Sequence, residues 1–418
     1  MRRFQGIVLV IFLFVLAIVE YYSFTAVKFA VRNVRPNYKN IIYAVYITIS
    51  IAWICMLLFM PKLSSLDINK SLRNFIVSFA MGILITKLII AVLLFIDDFR
   101  RVFFHIISLI YGNSTTPQLV QKGMTRSEFI NSLALILGGT LFSTMLYGMS
   151  NRYKYHVNKI KLKFAHLPNA FKGLRVIQIS DIHSGSFNNT HAVQKGIDMI
   201  MAQKADIILF TGDLVNNKSD EMYEYIKLFK QLKAPMGVYS ILGNHDYGDY
   251  AKWDTDEAKI KNLEELKTIH QELGWRLLLD EHISLEKNGE KIALIGVQNI
   301  SFKNQFHSYG NLAKAYENTA DFPFKILMSH DPTHWDGEIN TKYKDIDLTL
   351  SGHTHGFQFG VEIPWLKWSP AQYIYKQWAG LYQKDNQYIY VNRGFGFLGY
   401  PGRVGILPEI TLLTFNEA

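Results

Sequence analysis

Side chains that bind metals follow five apolar runs in the second half of the sequence. The runs are VIQIS, IILF, VYSIL, KILMS and LTLS, and the motifs after them are Asp181-Ile182-His183, Gly212-Asp213, Gly243-Asn244-His245-Asp246, His330-Asp331 and Gly352-His353-Thr354-His355-Gly356. Each run has the length and composition of a buried strand. Open α/β sheets gather ligands beyond the carboxyl ends of their strands, so we expect these side chains to meet in one crevice.

The donor types in these motifs favour a site for two cations. The motifs hold ten residues with a carboxylate, amide or imidazole group, and seven of them are the candidate donors, namely Asp181, His183, Asp213, Asn244, His330, His353 and His355. Such donors without a thiolate suit Mn, Fe or Zn. The Asp213 carboxylate has two oxygens and can bridge two ions, and Gly212 before it lets the backbone turn tightly. Two neighbouring cations clamp the attacking and leaving oxygens of a phosphoryl transfer, so the donor set predicts that chemistry.

Strands and helices alternate after residue 170, which predicts an α/β domain. The predicted strands are 174–180, 206–211, 237–242, 292–297, 325–329, 346–351, 387–392 and 410–415. The predicted helices between them are 190–204, 220–233, 256–273 and 311–319. The later segment 357–409 is rich in Trp, Tyr, Gly and Pro, and we expect ordered loops there. Within it, Trp365 and Trp368 either anchor the domain in a bilayer interface or pack the tail. His307 is a candidate for a substrate cap.

Residues 1–150 have the composition of a membrane region. Four apolar stretches have the length of spanning helices, at 4–27, 41–60, 74–96 and 129–149. The run 102–111 is too short to span and is expected to extend a helix or lie in the interface. The first stretch begins like a signal peptide but lacks a small-residue cleavage site, so we interpret it as an uncleaved span. A juxtamembrane linker is expected at 151–170, and a soluble domain at 171–418.

The positive charge is concentrated in the membrane half. Of the net charge of +9, residues 1–150 carry 14 Lys and Arg against 5 Asp and Glu, whereas residues 151–418 carry 30 of each. The balanced second half argues against a nucleic-acid partner. Counting basic residues on the two sides of the spans gives 10 against 8 and favours a cytoplasmic domain. By contrast, residues 125–130 resemble a decayed twin-arginine export signal, which would favour an outward domain.

Two charged residues, Glu20 and Lys87, fall inside the apolar stretches. They predict either an ion or proton path or a mutually paired structural couple, and the absence of a polar stripe favours the couple. The sequence has one cysteine, Cys55. A disulfide within the chain and a cysteine metal site are therefore excluded.

The ordered series D-x-H, G-D, G-N-H-D, H and G-H-x-H resembles the calcineurin-like metallophosphoesterase superfamily over residues 170–415. The spans before it resemble the bacterial membrane-associated branch. The resemblance implies a four-span helical bundle followed by an α/β domain, a two-sheet β-sandwich flanked by helices. It also implies two metal sites that share one bridging ligand: Asp181, His183, Asp213 and His355 hold the first metal, and Asp213, Asn244, His330 and His353 hold the second.

The resemblance further implies roles for residues that are not ligands. His245 is similar to the general acid of the family, which protonates the leaving oxygen, and an imidazole titrates near neutrality. Asp246 is expected to support the loop or to orient a histidine. Asn216 stands where the phosphoprotein phosphatase branch has Asp, which argues against that branch and removes a charged partner of His245. Arg393 and Arg403 are candidates for substrate binding, since guanidinium groups suit phosphate, with a structural ion pair as the alternative.

Together these features predict a membrane-anchored, dinuclear phosphoesterase that hydrolyses a phosphodiester or pyrophosphate bond. The tether favours a lipid-linked substrate because it raises the local concentration of amphipathic molecules. The membrane branch is linked to hydrolysis of UDP-2,3-diacylglucosamine in lipid A synthesis. The alternatives are a phosphodiesterase or phosphatase acting on soluble nucleotides or sugar phosphates, and a membrane sensor or scaffold with a retired domain. The complete ligand set argues against the retired domain.

Overall fold

The computed structural model describes residues 2–59, 70–111 and 125–417. The chain forms two compact units, Met1–Tyr147 and Gly148–Ala418. We call them the membrane unit and the C-terminal unit and describe each by itself. Residue 60, the predicted end of the second span, and residue 418 lie outside the described part of the chain.

The membrane unit is built of long apolar helices. They are α1 (Arg2–Ala30), α2 (Pro36–Phe59), α3 (Lys70–Tyr111) and α4 (Arg126–Gly148). Four stretches within the described residues are long and apolar enough to cross a membrane, namely Val10–Ala30, Pro36–Phe59, Phe75–Ile110 and Arg126–Asn151. The predicted bundle of four long apolar helices is confirmed. Residues 102–111 extend a helix, since they continue α3 without a break.

A buried polar network joins three helices of the membrane unit. The Lys87 ammonium forms an ion pair with Glu20 and donates a hydrogen bond of 2.8 Å to Ser50 Oγ. The Tyr46 hydroxyl donates to the same Glu20 carboxylate at 3.0 Å, and Lys87 Nζ lies 4.4 Å from the centre of the Trp53 ring. Charges in an apolar medium are tolerated when they are paired and hydrogen-bonded. Glu20 and Lys87 therefore form the structural couple that the sequence favoured.

Two six-stranded sheets form the centre of the C-terminal unit. The first has the order β1-β14-β2-β3-β4-β5, with strands His156–Phe164, Glu409–Glu417, Arg175–Ile179, Ile207–Phe210, Val238–Ser240 and Arg276–Leu277. The second has the order β12-β13-β9-β8-β7-β6, with strands Gly380–Lys384, Gln387–Val391, Leu348–Ser351, Lys325–Met328, Glu290–Gly296 and Glu281–Lys287. A separate hairpin pairs β10 (Val361–Ile363) with β11 (Leu366–Trp368).

The sheets pack face to face and helices cover their outer faces. One core cluster contains Val176 and Leu209 of the first sheet together with Ile326 of the second. The outer face of the first sheet packs against α5 (Thr190–Met201) and α7 (Asp256–Glu272), with α6 (Ile226–Phe229) nearby. The outer face of the second sheet packs against α8 (Leu312–Tyr316), a π-helical turn at Trp335–Ile339 and α9 (Asn340–Lys342). The predicted two-sheet sandwich flanked by helices is therefore confirmed.

The central strands run parallel and end on one edge of each sheet. In the first sheet β2, β3 and β4 are parallel, and in the second β7, β8 and β9 are parallel. Every residue of β2, β3, β8 and β9 except Arg175 is buried. Parallel strands covered on both faces read as continuous apolar runs, which is why the sequence located them. The five metal-binding motifs follow β2, β3, β4, β8 and β9.

The predicted linker at 151–170 is wrong for residues 156–164, which form β1. This edge strand pairs in parallel with β14 along its whole length, from His156↔Glu409 to Phe164↔Glu417. Lys159, Lys161 and Lys163 alternate outward while Leu162 and Phe164 are buried. Lysines on an edge strand oppose pairing with a further strand. The same lysines made the segment look like a basic linker in the sequence. Two predicted helices, 220–233 and 311–319, are reduced to the short helices α6 and α8.

Candidate metal centre

The residues after the central strands converge into two triads of metal-binding atoms. In one triad the side-chain atoms of Asp181, His183 and His355 lie within 4.8 Å of one another, and in the other those of Asp213, His330 and His353 do. Asp181 and His183 follow β2, whereas His355 arrives from the loop after β9 in the other sheet. Each triad therefore draws on both sheets, so the folded sandwich is needed to assemble it.

The Asp213 carboxylate belongs to the second triad and also lies close to the first. Its Oδ2 atom is 3.1 Å from His330 Nε2 and 3.5 Å from His183 Nε2. Asn244 Oδ1 faces the second triad, at 3.1 Å from His330 Nε2 and 2.8 Å from His353 Nδ1. The Asn244 amide nitrogen donates to Tyr250 Oη at 2.9 Å, which holds the amide oxygen toward the histidines. The structure thus brings together all seven ligands predicted from the sequence.

Most of the ligands adopt a backbone conformation that costs energy. Asp181, His183, Asp213, His353 and His355 have φ of 51°, 48°, 61°, 71° and 49°. The left-handed region costs a residue other than Gly about 1–3 kcal/mol and persists where the surroundings enforce it. At each of these residues the left-handed conformation directs the side chain from the end of a strand into the crevice. Strain concentrated on the ligands is typical of a functional site.

Two glycines allow the Asp213 and Asp181 carboxylates to approach the main chain closely. A Cβ atom on Gly243 would lie 2.2 Å from Asp213 Oδ1, and a Cβ atom on Gly352 would lie 2.2 Å from Asp181 Oδ2. Any other residue at these positions would displace a ligand. The glycines that precede Asn244 and His353 in the motifs are therefore explained by the packing of the crevice.

The donor atoms fit divalent cations. Both ring nitrogens of His183 and Nε2 of His355 are buried without a hydrogen-bond partner among the described residues, an arrangement that is rare unless something else binds there. Burial lowers the pKa of His183 to about 3 and that of His353 to about 4, so both present the neutral imidazole that a metal requires. Burial also lowers the pKa of His330, but the charges of Asp213 and Asp181 and the hydrogen bonds with Asp213 and the Thr211 carbonyl together outweigh it and raise the pKa to about 10. A cation at the second triad would take the place of that proton.

The Asp246 carboxylate accepts main-chain hydrogen bonds from the loops after two strands, and the described hydrogen bonds join it to no histidine. Its Oδ2 accepts hydrogen bonds from the main-chain N–H groups of Asp213 and Gly243, at 2.9 and 2.8 Å. Its Oδ1 accepts from Leu214 and Val215, at 2.8 and 3.3 Å. One carboxylate thus ties the turn after β3 to the turn after β4. Asp246 is a positioning residue for Asp213 and Asn244.

His245 lies beside the triads with one ring nitrogen fixed. Its Nδ1 atom is 2.7 Å from the main-chain oxygen of Asn216. A carbonyl oxygen only accepts, so Nδ1 carries a hydrogen and Nε2 is left for another partner. The ring packs edge-on against His183, with centroids 4.9 Å apart, and lies at a tilt to the Tyr250 ring, with centroids 4.5 Å apart. The charged partner lost with Asn216 is therefore replaced by its backbone carbonyl.

The two arginines predicted to bind substrate have other partners. Arg393 is paired with Glu409 and with Glu362, to which its Nε donates at 3.0 Å. Arg403 is fully buried and donates to main-chain oxygens, including that of Arg393 at 2.7 Å. Neither lines the cavity over the triads. Among the described contacts neither side chain reaches the cavity, and substrate binding by either arginine stays a prediction. In sequence, an arginine near glycines looks the same whether its guanidinium group binds phosphate or main-chain oxygens. The ion-pair alternative describes Arg393.

A cavity of about 430 Å³ opens over the two triads. Besides the ligands and His245, its walls include the apolar or aromatic side chains of Phe306, Phe357, Tyr375, Leu398 and Tyr400. The predicted cap segment does reach the site, but through Phe306, which packs edge-on against His353 at 4.6 Å. His307 does not line the cavity. No sequence signal marked these wall residues, since they come from loops far apart in the chain.

Asp331 is a further functional group that the sequence left unassigned. It is buried, and its Oδ2 atom lies 3.7 Å from His353 Nε2, which is also 3.1 Å from Tyr375 Oη. Its position directly after His330 was the available signal. At 3.7 Å the contact is too long for a hydrogen bond, so Asp331 acts on His353 through its charge, which favours a positive charge at that ring.

Comparison with known proteins identifies related families for both parts of the chain. Residues 2–152 match the family described as probable calcineurin-like phosphoesterase, transmembrane domain, and residues 174–357 match the calcineurin-like phosphoesterase family. Metallophosphoesterase YkuE of Bacillus subtilis is 30% identical over 307 residues, which are 71% of this chain and 99% of that protein.

Two further relatives come from different organisms. A transmembrane protein with metallophosphoesterase domain from Danio rerio is 27% identical over 321 residues, covering 74% of this chain and 67% of that protein. UDP-2,3-diacylglucosamine pyrophosphatase LpxG of Chlamydia muridarum is 27% identical over 279 residues, covering 57% of this chain and 81% of that protein. With the crevice and its donors, these matches show that the chain belongs to the calcineurin-like phosphoesterase family and is a metal-dependent phosphoester hydrolase of the membrane.

Proposed function

We propose that the protein is a membrane-anchored, dinuclear hydrolase of a phosphodiester or pyrophosphate bond in a lipid-linked substrate. UDP-2,3-diacylglucosamine is the substrate that we favour. The observation that carries the proposal is the position of Asp213. One carboxylate oxygen within 3.5 Å of a histidine of each triad is the arrangement that a ligand shared by two cations requires.

The ligands divide between two metal positions. We assign Asp181, His183 and His355 to the first, Asn244, His330 and His353 to the second, and Asp213 to both. Two divalent cations there, with Mn, Fe and Zn suited to these donors, would neutralise the phosphoryl oxygens and lower the pKa of a bound water. The protein contributes the fixed geometry. The strained turns, the glycines and the Asp246 carboxylate hold the donors in place before substrate arrives.

We assign His245 as the proton donor to the leaving oxygen. Because Nδ1 is tied to the Asn216 carbonyl, the ring is held in one orientation and Nε2 is the atom that can hold the transferred proton. The side chain lines the same cavity as the Asp213 carboxylate, so a substrate held there would be within its reach. General acids placed in this way contribute about 10²–10⁴ in rate.

The walls of the cavity support a lipid-linked substrate. None of the residues that line it is Lys or Arg, so the cations would have to neutralise the phosphate while Phe306, Phe357 and Leu398 meet apolar groups. The four spans keep this cavity on a protein that resides in the bilayer. The similarity to a pyrophosphatase of a diacylated nucleotide sugar points the same way. We further propose that the C-terminal unit faces the cytoplasm, the side that the count of basic residues favours by 10 to 8.

Turnover of a substrate panel tests the proposal. The full chain would be purified in detergent with Mn and offered UDP-2,3-diacylglucosamine, a cyclic nucleotide, a sugar phosphate and an aryl phosphodiester. Asp213→Asn, which keeps the shape and removes the charge, is the inactive control. We expect hydrolysis of the aryl diester and the lipid nucleotide, with two metal ions per chain. A protein that holds two metals yet cleaves none of the four is not the proposed hydrolase, and turnover of the soluble esters alone contradicts the lipid substrate.

Reporter fusions at the C-terminus test the membrane side. A reporter active only in the cytoplasm is expected to work, and one active only outside is expected to fail. The reverse pattern would exclude a substrate that is confined to the cytoplasmic face.

A further inference from the structure

The β10–β11 hairpin stands apart from both sheets and exposes an apolar tip. Ile363 pairs with Leu366 across a two-residue turn formed by Pro364 and Trp365. The exposed fraction is 81% for Trp365, 39% for Ile363 and 41% for Leu366. Tyr373, which follows the hairpin, is 75% exposed. A contiguous apolar projection of this kind on a folded unit marks a surface that meets something other than water.

The charged residues of the hairpin turn away from its tip. Glu362 is paired with Arg393, and the Lys367 ammonium donates to the main-chain oxygen of Ala379 while lying 4.9 Å from the centre of the Trp378 ring. An unpaired charge would oppose transfer of the tip into an apolar medium. Here the four tip residues carry no charge, and both neighbouring charges already have partners.

Within the C-terminal unit, one loop hydrogen-bonds both to the root of the hairpin and to the first residues of the unit, Gly148 and Asn151. Gly360 N donates to Val404 O at 2.8 Å, and the preceding residue of that loop, Arg403, donates from its N–H to Gly148 O at 2.9 Å. Asn151 Nδ2 donates to Arg403 O at 3.2 Å. The last candidate span ends at Asn151. Within the C-terminal unit, a single loop therefore connects the exit of that span to the base of the hairpin.

The same region borders the metal cavity. Phe357 and Gln358, which precede the hairpin, line the cavity, and so do Leu398 and Tyr400, which precede the Arg403 loop. Gln358 joins the two walls, since its side chain donates to Tyr400 O at 2.7 Å and accepts from Leu398 N at 2.7 Å. The membrane exit, the hairpin and the cavity wall are thus one continuous part of the unit.

We propose that the tip of the β10–β11 hairpin inserts into the interfacial layer of the bilayer that the chain spans, with Trp365 as its anchor. Trp and Tyr favour the interface because each has an apolar ring and a polar atom, and Tyr373 lies next to the hairpin. Insertion adds a second attachment to the covalent one at residue 151. It holds the wall formed by Phe357 and Gln358 at the level of the headgroups. The inference goes beyond the proposed function, since it concerns attachment and not the bond that is cleaved.

Fluorescence quenching by lipid tests the insertion. The full chain would be reconstituted into vesicles of phosphatidylcholine and phosphatidylglycerol, with or without bromine on the acyl chains near the headgroup. The sequence has seven Trp residues, so the emission of Trp365 is obtained as the difference between the wild type and Trp365→Phe. We expect bromolipid to quench this component and soluble iodide to leave it unchanged. The matched control, Trp275→Phe, reports a side chain that is 2% exposed in the core and should show no bromine effect.

Two results would overturn the inference. A Trp365 component that iodide quenches and bromolipid does not would place the hairpin in water. A component that neither reagent quenches would mean that protein covers the tip. The readout needs no turnover, so a protein that fails to cleave lipid substrates but shows bromolipid quenching would contradict only the proposed function.

Discussion

Removing the His245 imidazole should slow the reaction in a way that depends on the leaving group. In the structure a single main-chain hydrogen bond of 2.7 Å fixes the ring, and His245 belongs to neither triad. His245→Ala should therefore leave two metals bound while removing the proton donor. Loss of a general acid costs about 10²–10⁴ in rate, which is about 2.7–5.4 kcal/mol of transition-state stabilisation.

The assay is a series of methyl aryl phosphodiesters whose phenols differ in acidity. An acidic phenol leaves without a proton, so the variant should hydrolyse that ester nearly as fast as the wild type. A weakly acidic phenol needs the proton, so kcat should fall by the full factor there. His307→Gln is the matched control, since His307 is exposed and does not line the cavity. An equal loss across the series, or a loss of metal, would refute the assignment of His245 as the acid.

Three further predictions concern the triads, a buried arginine and acid stability. His355→Ala and His330→Ala should each lower the metal content from two ions per chain to one, measured by plasma emission; unchanged content in either would contradict the ligand assignment. Arg403→Met should cost about 3 kcal/mol in unfolding free energy because buried carbonyl oxygens lose their donor, and an unchanged unfolding midpoint would refute this. Burial lowers the pKa of His270 to about 3, whereas the pKa of an unfolded histidine is about 6.5. Between these two values only the unfolded chain binds the proton, so the free energy of unfolding should fall by about 1.4 kcal/mol for each unit that the pH is lowered. His270→Asn should flatten that slope between pH 6.5 and pH 4, and an unaltered slope would exclude the effect.

The fold was predictable where local sequence carries a strong physical signal. The strands β2, β3, β8 and β9 are buried on both faces, so their sequences are continuous apolar runs that need no tertiary context to recognise. The spans of the membrane unit are recognisable for the same reason. By contrast β1 is an edge strand whose lysines face outward, and its pairing partner β14 lies about 250 residues later. No local pattern distinguishes such a strand from a basic linker.

The candidate site also has features that local sequence predicted and features that it did not. The clustering of the seven proposed metal ligands was predictable because each follows the end of a strand, and parallel strands deliver their carboxyl ends to one edge. Their orientation was not, since it depends on left-handed turns at positions such as Asp181 and His355 that the folded crevice enforces. The partners of Arg393 and Arg403 were not predictable, because Glu409 and the loop carbonyls that accept their hydrogen bonds are distant or featureless in sequence.

By itself, the sequence determined the four spans, the central strands and the chemical type of the metal centre, because hydrophobic burial and ligand chemistry are properties of residue types at short spacing. Only the tertiary structure decided that Asp213 lies between the triads, that Asp246 holds the loops and that Phe306 and Tyr375 wall the cavity. These facts depend on which distant segments meet. The packing of the two sheets determines which segments meet, since it brings loops from both halves of the sandwich over one edge.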